Sequence, residues 1–198
     1  MKRLQSVAEG ISRVGAIAGG ALLLVASVLI CIDITTRYLF AWTLGGADEL
    51  SGYALAIASA WGFSAALFSR SHIRIDTVYV RVRPSVRAVL DLVSLAIVAF
   101  FIALVTWYAW GVVWQSFQSN SRSLSEIEAP LVIPQGLWFA GLVFFVMVAL
   151  LLLARAVAAL LRGDLPTLFA LIGSKSAVDE AQEEVLNVEH AFQQEKKE

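Results

Sequence analysis

Few residues in this chain have the chemistry for catalysis, and their spacing scatters them. There are two histidines, His72 and His190, and one cysteine, Cys31. A haem-binding helical bundle needs histidine ligands inside its helices, but His72 falls in a connecting stretch and His190 near the end of the chain. A lone cysteine forms no intramolecular disulfide. No phosphate-binding glycine loop and no Ser-His-Asp constellation is present. Among the acids, Asp33 stands with Thr35 and Thr36 near the end of an apolar block, and Asp48-Glu49 opens another. A self-sufficient proton-coupled carrier needs an ionisable group deep in the membrane, and Asp33 sits poorly for that. The residues therefore predict no enzyme activity, cofactor or metal. The densest polar cluster is His72-x-Arg74-x-Asp76, which could anchor a loop through hydrogen bonds and an ion pair, or touch a partner.

The elements that position these residues are membrane helices. The 198-residue chain is 59% hydrophobic and only 16% charged, with a mean hydropathy of +0.75. Residues 14–32, 50–69, 92–121 and 129–154 contain no Asp, Glu, Lys or Arg. A helix needs about 20 apolar residues to cross the hydrocarbon core. In lipid the backbone must be satisfied within the segment, so helices are expected, and the alternation of barrel strands is missing. The fold class predicted is an all-α integral membrane protein with four transmembrane helices over about 14–36, 48–69, 86–118 and 136–161. Residues 1–163 form the membrane domain and 164–198 a polar, acidic tail. Lys2 and Arg3 before an apolar block resemble a signal peptide, but the block is long enough to be a retained helix.

Charge gives the orientation. Lys2, Arg3, Arg13, Arg70, Arg74, Arg81, Arg83, Arg87, Arg155, Arg162 and Lys175 fall on one side of four crossings, and only Arg37 and Arg122 on the other. The side rich in Lys and Arg is cytoplasmic, so both ends are expected there. Trp42, Trp107, Tyr108, Trp110, Trp114 and Trp138 collect at the outer ends, as a headgroup belt or a partner surface. Trp61 lies mid-helix, where packing against another helix is its expected role.

Finer features follow from periodicity. Leu4, Val7, Ala8 and Ile11 share one face, predicting a short surface helix over 1–13. Gly15-x-x-x-Gly19, and Ala54, Ala58, Gly62 and Ala66 at every fourth position, are small stripes that let helix backbones approach closely. Asp48 and Glu49 complement the positive end of a helix dipole. The link 70–85 reads as a short surface helix ended by Pro84, with Ser85 capping the third crossing. Pro134 precedes the fourth. Val178, Ala181, Val185, Val188 and Phe192 keep a heptad-like spacing in the tail, consistent with a docking helix or a frayed end.

Taken together, these residues resemble the small permease subunit of tripartite ATP-independent periplasmic (TRAP) transporters, the DctQ type. The resemblance spans most of 14–160. It rests on Arg37-Tyr38, Trp42, Asp48-Glu49, Gly62-Phe63-Ser64-Ala65-Ala66, His72-Ile73-Arg74-Ile75-Asp76 and Pro134. It implies a bacterial inner-membrane protein that braces a large permease subunit. That subunit holds the substrate and sodium sites, and a periplasmic binding protein delivers an organic acid such as a sialic acid or C4-dicarboxylate. Arg37, Trp42, Asp48, Glu49, His72, Arg74, Asp76 and Pro134 become candidate partner-contact or motif residues. The competing reading is a stand-alone four-helix exporter or a structural membrane protein.

Overall fold

A computed structural model describes residues 2–69, 83–125 and 127–173. The described residues form five helices and no strand. These are α1 (Lys2–Phe40), α2 (Ala47–Phe68), α3 (Pro84–Gln118), α4 (Val132–Leu161) and α5 (Leu165–Ile172). The first four are each long and apolar enough to cross a membrane. The motif residues His72, Arg74 and Asp76, the expected surface helix at 70–85 up to Val82, and the tail heptads all lie outside the described residues.

Four features differ from expectation. The 39 residues of α1 run without a break, so residues 2–13 continue the first long helix instead of forming a separate one. No proline interrupts them, and an isolated glycine costs a helix only about 1 kcal/mol. Ala8 packs against the main core, which holds the first turns in line. Pro84 lies inside the first turn of α3, and Ser85 does not cap it; the cap position is Arg83. Pro134 likewise lies inside the first turn of α4. A proline there forfeits no intrahelical hydrogen bond. Beyond α4, the stretch expected to be tail begins with α5. Asp164 accepts from the Thr167 backbone N–H at 3.1 Å, and Leu168 and Ile172 are buried in the core.

The four long helices stand in a row, in the order α1, α2, α4, α3, with α5 packed on α4 and α3. Only α2 and α4 are flanked on both sides. The burial pattern follows from this. On α1 the buried positions are Ser12, Gly19, Ala26 and Asp33, one every seven residues, the seam a helix presents to a single neighbour. On α2 the expected small stripe is buried at Ala54 and Ala58 but only half-buried at Gly62 and Ala66. A second buried set, Ala60, Ser64 and Leu67, completes a helix with two neighbours. The main core joins Leu67, Leu95, Phe145, Val148, Leu152 and Leu168.

In lipid, water supplies no hydrophobic drive between helices, so close contact must provide the attraction. A Cβ added at Gly19 would lie 3.0 Å from the Ala58 Cα, and one at Gly141 would lie 2.9 Å from the Ala60 Cβ. Trp61 fills the remaining space between α1 and α4. A Cβ at Gly15 or at Gly141 would come within 2.9 Å of its ring. The indole N–H donates to the Leu137 carbonyl at 3.1 Å and the ring stacks on Phe144 at 5.7 Å. Sequence placed Trp61 in helix packing, and the structure shows it touching both neighbours of α2.

Two outcomes are expected. Gly19→Leu should cost about 1–3 kcal/mol by overpacking, whereas Gly20→Leu, which faces open space, should be near neutral; thermal unfolding in lipid nanodiscs compares them. Hydrogen bonds from Thr167, through its side chain first and then its backbone, hold the Asp164 carboxyl below its ordinary value. Such a group stabilises the fold above its unfolded pKa and loses that contribution as pH falls through its folded one. The α5 cap should therefore persist at neutral pH and open only in acid below the usual carboxylate range, read by amide exchange at 165–172.

Candidate functional site

The connections α1–α2 and α3–α4 lie at the same end of the row, and hydrogen bonds join them. At the first, α1 ends at Phe40 and the chain reverses through positive φ at Ala41, Gly45 and Gly46. The buried carboxylate of Asp33 organises the turn. Its Oδ1 accepts from the Leu44 N–H at 2.7 Å and from the Thr43 hydroxyl at 2.9 Å. Its Oδ2 accepts from Arg37 Nη2 at 2.5 Å, one helical turn along. Both oxygens are thus engaged inside the chain, and the guanidinium balances the charge. This carboxylate closes a turn, and its shape is unlike that of an open proton carrier.

The second connection is tied to the first by Glu49. Glu49 lies in the first turn of α2, beside Asp48, where an acid suits the helix dipole. Its two oxygens accept from the Tyr53 hydroxyl, one turn further on, and from the Ser123 hydroxyl, 74 positions away. Ser123 in turn shares a hydrogen bond with the Ser125 hydroxyl at 2.8 Å and accepts from its N–H at 3.0 Å. Gly46 completes the fit. At its φ of +91° a side chain would be strained, and a Cβ would meet Ile127 at 2.6 Å. The loop is also closed on itself. Ser123 N–H donates to Ala129 O and Leu131 N–H to Ser121 O, around an Arg122–Pro130 bridge.

The sequence-level candidates separate accordingly. Arg37 and Glu49 enter these hydrogen-bonded clusters. Asp48 is exposed beside them, and Trp42 is exposed at the turn. Pro134 is half-buried at the start of α4. Tyr53, Thr43, Ser123 and Ser125 were not anticipated. The alternating hydroxyls Ser121-x-Ser123-x-Ser125 were the only hint, and their partner is far away in sequence. The aromatic positions also sort. Trp110, Trp114 and Phe117 form an exposed stacked ladder on α3, with centroids 5.8 and 5.9 Å apart, while Trp138 packs inward against Ala60, Ala109 and Leu142.

These features describe a four-span helical membrane protein whose polar groups at one end serve to close and stiffen it. Residues 26–159 match the family described as "Tripartite ATP-independent periplasmic transporters, DctQ component". The chain belongs to that family, which is a transporter component and not a family of enzymes. The matched region includes Asp33, Arg37, Glu49 and the α3–α4 loop. No curated protein matches the chain.

Removing the Glu49 carboxylate should free the loop. Glu49→Ala is expected to lower stability, because it takes the acceptor from the Ser123 and Tyr53 hydroxyls. It should also speed amide exchange across 119–131. Ser123→Ala should give a similar effect, and the double variant should be little worse than Glu49→Ala, because both remove one shared contact. Unchanged exchange in Glu49→Ala would show that the loop is held by its own backbone bonds alone.

Proposed function

We propose that this chain is the small membrane subunit of a TRAP transporter and braces a large permease subunit during sodium-coupled uptake of an organic acid. A periplasmic binding protein delivers the solute. The observation that carries the reading is the family match over 26–159, on a fold whose outer helices are half bare. Apolar residues stay exposed along α1 (Val14, Ile17, Val25) and α3 (Ile97, Phe100, Leu104). An open groove of about 630 Å³ also runs along α1 past Gly15, Gly19 and Trp61. A row of helices with open flanks suits a part that is built onto something larger.

The positive-inside rule places the arginine-rich end, with both chain ends, in the cytoplasm. The hydrogen-bonded loop end then faces the periplasm, in a bacterial inner membrane. On this reading Arg37, Trp42 and the stiffened 119–131 loop are offered to the binding protein. His72, Arg74 and Asp76 would secure the cytoplasmic loop or meet the large subunit.

Reconstitution tests the proposal. Proteoliposomes carrying this chain together with a large permease subunit should take up solute when the binding protein and a sodium gradient are supplied. Omitting any one of these should reduce uptake to background. Uptake by this chain alone would refute the subunit role and favour a stand-alone carrier.

A further inference from the structure

The first turns of α1 expose apolar side chains where no hydrocarbon covers them. Asp33, paired with Arg37, marks the loop end of the helix, and the next charge back along it is Arg13. At 1.5 Å per residue the stretch between them extends about 30 Å, the thickness of the hydrocarbon core. The residues before Arg13 therefore project about 15 Å further, into headgroups and water. In that projection Leu4, Val7 and Ile11 are exposed, and Val14 continues them at the boundary. Their alternating steps of three and four positions make one stripe along the helix. It lies on a different face from the seam against α2, which is marked by the buried Ser12. Apolar surface left in water is costly.

The end of the described chain is close by. Leu168 and Ile172 of α5 belong to the same buried core that Ala8 of α1 packs against, and α5 ends at Gly173. Four crossings also return the chain to the side on which α1 began. The residues that follow, 174–198, carry seven acids and three lysines. Among them Val178, Ala181, Val185, Val188 and Phe192 repeat the three-and-four steps of the stripe, the spacing of helices that pack along a seam. Charge also matches. The start of α1 is basic, with Lys2, Arg3 and Arg13 against Glu9, whereas an anionic bilayer surface would repel the acidic tail. Two heptads are too short to pair well when free in solution. Here the residues from Ser174 to Ala177 reach only about 13 Å, and so short a tether gives a millimolar effective concentration.

We propose that residues 178–192 form a helix that docks on the Leu4–Val14 stripe of α1, so that the acidic tail covers the projecting start of the first helix. The apolar positions of the two segments meet along a seam, and the tail's acids offset Lys2, Arg3 and Arg13. The inference rests on α1 and the tail alone and stands whether or not the subunit reading holds.

Amide hydrogen exchange of the full chain, in nanodiscs of phosphatidylcholine that each hold one copy, tests this. Amides 178–192 should be protected in the wild type. Val7→Glu combined with Ile11→Glu should speed their exchange about tenfold or more, while Glu9→Gln, on the opposite face of α1, should leave it unchanged. Val185→Glu combined with Val188→Glu, in the tail and away from the bundle, should free 178–192 and also speed exchange at residues 2–11. That reciprocal effect is one that a tail held elsewhere would not produce. Fast exchange at 178–192 in the wild type would overturn the proposal, as would protection that survives Val7→Glu with Ile11→Glu, or unchanged exchange at 2–11 in the tail variant. So would protection found only in discs holding two copies, which would mark a contact between copies. Protection gained only in phosphatidylglycerol discs would assign the tail to the bilayer surface and overturn it equally.

Discussion

The fold depends on one side chain between two glycines. Trp61 projects from α2 into notches that Gly15 leaves on α1 and Gly141 leaves on α4. An indole is large and flat, and it gains attraction in proportion to the surface it touches. Its N–H would be costly to leave bare in hydrocarbon, and the Leu137 carbonyl has a spare lone pair to accept it. The same residue therefore sets the spacing of both helix pairs and links them by one polar contact. A bulkier residue at either glycine would push a helix off its neighbour, and a smaller one at 61 would leave a void in lipid.

That wedge has a consequence for architecture. With α2 clasped on both sides, the helices extend as a row, and the outer two keep wide apolar flanks. A closed square bundle would hide more of each helix and would present little to a membrane partner. The two ends of the row differ in chemistry. At the loop end, carboxylates of Asp33 and Glu49 are consumed by hydroxyls, a backbone N–H and one arginine, so that they fasten two connections together. At the opposite end the charges among the described residues are mainly arginine.

Much of this was legible in residue order, for identifiable reasons. The four crossings follow from the length of uncharged sequence, because the bilayer imposes a minimum that no tertiary contact can relax. The arginine asymmetry along the sequence is equally local. The acids at the start of α2 could be read as partners of the helix dipole, and the structure keeps them in that first turn. What could not be read was that Glu49 also holds Ser123, since a hydrogen bond across 74 positions leaves no periodic trace. Nor could the continuity of α1 be read, because a glycine-containing surface segment and a glycine-containing crossing have the same local pattern. The prolines at 84 and 134 placed the helix starts two and four residues too late, since proline marks a helix start from inside or from outside with equal ease.

The sequence by itself thus determined that the chain is a helical membrane protein with four crossings, little deep polar chemistry and a resemblance to a transporter's small subunit. Hydrophobic length and charge placement act locally, so they survive in one dimension. Only the tertiary structure decided which helices touch, and therefore that they form a row, that Trp61 joins three of them, that Asp33 closes a turn, and that Glu49 holds Ser123. Each of those depends on which faces meet across space. Many helix faces in this chain are small and apolar enough to pack, and only the combined fit of glycine notches, indole and hydroxyls selects among them.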